Sequence, residues 1–109
     1  MHIALGNYWL LERAGVTLPS GAPKIAPDVE RKVTAKAEVI RWLKDSLEAV
    51  RQSYPKAYLE KKVQFFGQDS TAGSVFLRIL VHNHEHMGQS VAYARMNGIT
   101  PPWSRKSGE

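Results

Sequence analysis

The sequence contains no cysteine, which excludes a disulfide framework, a thiolate-bound zinc and a cysteine nucleophile. Any metal the chain holds must be bound by histidine and carboxylate side chains. No apolar run approaches the roughly 18 residues needed to cross a bilayer, and the N-terminus lacks the basic region and cleavage site of a secretory signal. The expected compartment is the cytosol, with no membrane partner. Internal repeats and low-complexity segments are also missing, which removes solenoids and compositional linkers from consideration.

What remains is a chain of 109 residues, 43% hydrophobic and 23% charged, long enough for one modest core and too apolar to stay disordered. A single domain spanning residues 1–109 is expected. The net charge of +5 raises the question of a nucleic-acid partner. Most of the basic residues stand among acids, however, and pairs such as Arg41 with Asp45 and Lys44 with Glu48 have the four-residue spacing of a solvated helix face. No nucleic-acid partner is expected.

Three main helices can be read from periodicity and stop signals. The segment from His2 to about Ala14 is closed by Gly15, and its apolar residues Ile3, Leu5, Trp9, Leu10 and Leu11 lie nearly all round the helix, so it requires neighbours on several sides. Residues 16–28, with three prolines and one glycine, form a long connection. A second helix begins at Val29 or Ala35 and runs to Ser53, with Val39, Ile40, Leu43, Leu47 and Val50 at amphipathic spacing and Pro55 marking its end. Asp69, Ser70 and Thr71 offer N-cap oxygens for a third helix from Thr71 to Asn97, stopped by Gly98 and Pro101-Pro102. In the tail only Trp103 looks able to pack.

Three of the four histidines fall in one stretch of the third helix, His82-Asn83-His84-Glu85-His86. At about 100° per residue His82 and His86 differ by about 40° and share a face with Val75, Ile79, Gln89 and Tyr93. His84 lies about 200° from His82, beside Arg95, and is expected in solvent. A lone histidine on an apolar face is commonly a hydrogen-bonded core residue. Two of them one turn apart can aim their nitrogens at one divalent ion, and burying two unpaired imidazoles is costly. His2 is the only other histidine and the candidate third ligand, and Gln89 could orient a ligand or a bound water. The stretch also fits H-x-x-E-H, with Glu85 as general base for peptide hydrolysis. That motif needs a further acidic ligand well downstream, and the one acid after His86 is the terminal Glu109, so Glu85 reads as a solvated or orienting carboxylate.

With these residues in hand, HNHEHMGQSVAYARMNGITPPWS at 82–104 resembles the pattern of the DinB-like (DinB/YfiT-like) superfamily: a helix with H-x-x-x-H, then Gly-Gln, then a Gly-Pro-Pro-Trp-like tail. HIALGNYW at 2–9 is similar to the family helix carrying the remaining metal histidine, and FFGQDSTAGSV at 65–75 to the approach to the last long helix. The resemblance implies an all-α, up-and-down four-helix bundle holding a divalent metal ion, zinc, nickel or iron, at His2, His82 and His86. It also implies a metal-dependent enzyme of hydrolase or thiol S-transferase type, acting on a small thiol or other small substrate. The family has a long helix before the one bearing the first histidine, so the expectation is a bundle lacking its first helix, N-terminally truncated or completed by a second copy in a homodimer. The opposing reading is a non-catalytic helical module, metal-stabilised or metal-free, that acts through dimerisation or small-ligand binding.

Overall fold

The computed structural model describes residues 1–106, and Glu109 lies outside them. Three long helices carry the fold: α1 (His2–Arg13), α3 (Lys36–Ser53) and α4 (Ala72–Met96). Between the first two is a single-turn helix, α2 (Val29–Lys32), and between the last two an antiparallel hairpin, β1 (Lys62–Phe65) and β2 (Gln68–Thr71). Short 3₁₀ turns follow α3 at Tyr54–Lys56 and α4 at Pro102–Ser104.

The all-round apolar character of the first helix has a direct explanation. α1 packs against both α3 and α4, and Ala4, Asn7, Tyr8, Leu10 and Leu11 are all buried along it. Of these, Tyr8, Leu10 and Leu11 make the core with Ala14, Ala49 from α3 and Ala72, Val75, Phe76 and Ile79 from α4. The positive φ of Gly15 (68°) and Gly98 (72°) ends α1 and α4 in the left-handed turn expected from their sequence. Thr71 is the N-cap of α4, its hydroxyl accepting from the Ser74 amide at 3.2 Å. The second helix begins at both anticipated places, because the chain breaks between Lys32 and Lys36 into α2 and α3.

Two observations overturn the all-α, up-and-down bundle with three helices. The first is the hairpin, in which Lys62 pairs with Thr71 and Phe65 with Gln68. Val63 and Phe65 alternate toward the core, while Asp69 and Ser70, read as caps, form the return strand instead. The second is direction. Asn7 of α1 meets Ser46 of α3, and Ala14 and Gly15 line a common cleft with Gln52 and Ser53, so α1 and α3 run the same way. An up-and-down bundle alternates. The long proline-containing connection carries the chain back along the roughly 18 Å of α1 before α3 begins.

The hairpin turns through Phe66 and Gly67, with φ of 51° and 74°. A left-handed conformation suits glycine but is unusual for an aromatic residue. Phe66 is nevertheless held there, 78% exposed as a residue. Trp103, expected to pack, is 68% exposed, and among the described residues after α4 it is Pro101 that is buried. The far half of α4 is open as well. Gln89 and Tyr93, on the face of His82 and His86, are both exposed, so that face is covered only as far as the histidines. None of the helices among the described residues is long and apolar enough to cross a membrane.

Candidate metal centre

Because α4 runs opposite to α1, the first residue of α1 arrives beside the middle of α4. His2 therefore meets His82 and His86, 80 and 84 positions later in the chain. The Nε2 atom of His82 lies 3.2 Å from that of His86 and 3.4 Å from that of His2, and one ligand nitrogen from each ring lies within 4.8 Å of the others. The rings stand edge to face or tilted, with centroids 4.6 to 5.3 Å apart. This is convergence on a point rather than stacking. The three residues named from the sequence are thus brought together and lie close enough to bind a metal ion.

Hydrogen bonding alone accounts poorly for this arrangement. One ring nitrogen carries either a proton or a lone pair, yet His82 Nε2 is approached by two other imidazole nitrogens. His82 Nδ1 is buried and has no partner among the described residues. The pKa of His82 is held below its ordinary value, first by burial and then by the neighbouring His86 and His2. Its ring is therefore neutral at pH 7, the form that binds metals.

Three residues that the sequence did not single out position the cluster. Gly6, one turn along α1 from His2, lies against the His82 ring, and a Cβ there would stand 2.6 Å from Cε1. Glu30 of α2 stands near His2, its carboxylate 3.6 Å from Nδ1, close to the ring nitrogen that does not face His82. Asn7 is fully buried and joins three helices. Its Nδ2 donates to Ser46 Oγ at 3.1 Å, its Oδ1 accepts from Asn83 Nδ2 at 2.6 Å, and Asn83 also donates to the Ile79 carbonyl. That network fixes the register of α1 on α4 one residue from His82. Only contacts between positions distant in sequence reveal these roles, so helical periodicity carried no signal for them.

The other residues of the histidine stretch point elsewhere. His84 is exposed, as its helical angle required. Glu85 is largely exposed, its nearest charge partner Arg78 at 4.0 Å, and it is not part of the histidine group.

A shallow cleft of about 340 Å³ adjoins the cluster, bounded by His2 and His82 at one end, Trp9, Phe65 and Phe66 at the other, and Arg78 beside them. No protein-family model, curated protein or solved structure matches the chain.

Proposed function

We propose that the chain is a DinB-like protein that binds one divalent metal ion at His2, His82 and His86 and acts as a hydrolase or thiol S-transferase on a small substrate. The observation that carries the reading is the spacing of the ring nitrogens. Two ligands at about 2.0–2.1 Å from one zinc ion with a tetrahedral angle between them lie roughly 3.3 Å apart. The separations of 3.2 and 3.4 Å at His82 bracket that value. The resemblance of residues 82–104 and 2–9 to the family pattern supports the same three residues independently.

A bound divalent ion with three neutral imidazole ligands keeps its full charge and an open position, where it lowers the pKa of a water or a thiol. The protein's part is to hold and orient. His82 and His86 present their nitrogens from one rigid helix, and His2 closes from the opposite helix with Glu30 behind it. Helix α1 excludes water from His82, while His2, 60% exposed in its side chain, leaves one side free for a substrate. Nothing on α4 supplies a general base, because Glu85 and His84 face away. A substrate's own acidic proton, on water or thiol, is therefore the one the site is suited to remove.

The test is elemental analysis of the purified protein beside a His82→Ala, His86→Ala double variant, with visible spectra after cobalt(II) loading. Near-stoichiometric metal with a tetrahedral cobalt spectrum, both lost in the variant, is expected. A stable wild type that takes up no metal would end this reading and leave the histidines as packing residues.

A further inference from the structure

The tip of the hairpin is an odd place for an aromatic residue. Phe66 occupies a left-handed turn position and is largely exposed, although glycine or asparagine would serve the turn better. Its ring is not idle. It packs at a tilt against Phe65 and Trp9, with centroids 4.6 and 5.6 Å away, and these three rings form one wall of the cleft beside His2 and His82. The same face of α1 that carries Trp9 places His2 and Gly6 at the other end. Gly6 has no side chain, and the His82 ring takes the space beside it, which brings His82 to the lining of the cleft.

The charge around the cleft is also uneven. Arg78 lines it, is exposed and is loosely engaged, its nearest carboxylate among the described residues, that of Glu85, standing 4.0 Å away. An apolar wall, a guanidinium and two of the three clustered histidines, His2 and His82, therefore line a single space. A volume of about 340 Å³ is at the small end of ligand pockets, so the ligand must be small.

We propose that this cleft binds a small organic anion with an apolar arm, its head beside Arg78 and the histidine cluster, its arm against Trp9, Phe65 and Phe66. Binding of the head through a metal rests on the function proposed above. The seat for the arm does not, since the aromatic wall is built by α1 and the hairpin alone. An apolar arm leaves water for a surface that is already desolvated on one side, which favours long-armed acids over short ones. Arg78 contributes equally to both, because each has the same carboxylate.

The experiment is calorimetric titration with 4-phenylbutyrate and with acetate, on zinc-treated and EDTA-treated protein, for wild type, Phe66→Ser and Arg78→Gln. Zinc uptake is measured first, by titration of the metal alone. Wild type is expected to prefer 4-phenylbutyrate by at least about tenfold, with and without zinc, and Phe66→Ser to cut that preference to about threefold or less. The exposed position of Phe66 makes this variant safe for the fold. Arg78→Gln is expected to weaken both acids by the same factor. Equal affinities for the two acids, or a preference that Phe66→Ser leaves intact, would overturn the proposal. Failure of zinc to bind while the preference persists and responds to Phe66→Ser would sink the metal reading and uphold the arm's seat.

Discussion

Gly6 stands where α1 passes closest to the His82 ring, and its lack of a side chain sets the position of that ring. In an isolated helix, replacing glycine by alanine gains about 0.5–1 kcal/mol. Here the added carbon would lie 2.6 Å from Cε1, a separation that forces the imidazole aside. Gly6→Ala is therefore expected to leave the thermal stability of the metal-free protein unchanged or slightly higher while weakening zinc binding by about tenfold or more, as displaced ligand supports do. Zinc titration beside a thermal melt checks both halves, and full affinity in the variant would mean that His82 is not a ligand. Legibility at this scale followed the distance between residues along the chain. The pairing of His82 with His86 is written in a four-residue spacing. Gly6, Asn7 and Glu30 owe their roles to residues dozens of positions away, and nothing in their local pattern marks them.

Among the elements, α4 was legible almost to the residue, because a cap at Thr71 and a glycine stop at Gly98 are local signals. The hairpin was hidden. Its strands have four residues each, too short for alternation to stand out, and its turn uses Phe66-Gly67 in place of the usual asparagine-glycine. The charged face of α3 is solvated as its spacing suggested, with Arg41, Lys44 and Asp45 exposed, and the ion pairs on it are Arg41 with Glu38 and Arg51 with Glu48, each three apart. Glu48 takes bonds from Arg51 at 2.6 and 2.7 Å and from Gln52 at 2.8 Å. Those from Arg51 first, then that from Gln52, lower its pKa from 4.5 to about 2. Since the folded value is depressed, whatever stability Glu48 contributes is present in full above its unfolded pKa of 4.5 and is lost as the pH falls toward 2. Carboxyl NMR of the folded protein is expected to find Glu48 still ionised at pH 3, and a midpoint near 4.5 would mean the pair is not formed in solution. The element contact with the larger energetic weight is Asn7 with Asn83. Asn83→Ala leaves the fully buried Asn7 side chain short of a partner, at a cost of about 1–3 kcal/mol. A lower urea midpoint with an unchanged slope is the expected result, whereas an unchanged midpoint would show that the network does not hold α1 on α4.

For the whole molecule, a metal ion held by the histidine cluster, as proposed, would cross-link the start of α1 to the middle of α4. The first turn of α1 has no side-chain N-cap, and unpartnered amides there make it the part of the helix most prone to open. A metal ion bound by His2 together with His82 and His86 binds only when that turn is formed and docked, so its binding energy adds to the stability of the folded chain. At a free concentration 100 times its dissociation constant the gain is about 2.7 kcal/mol. For a chain of this size that corresponds to a rise in melting temperature on the order of 10 °C. Zinc is expected to produce such a rise in the wild type and to slow amide exchange over residues 3–6. His2→Ala retains the helical pair but loses the tie to α1, so it should keep residual zinc affinity while losing most of the thermal shift and all of the added protection in the first turn. If zinc raises the melting temperature of His2→Ala as much as that of the wild type, the ion is held by α4 alone and the two helices are not joined through it.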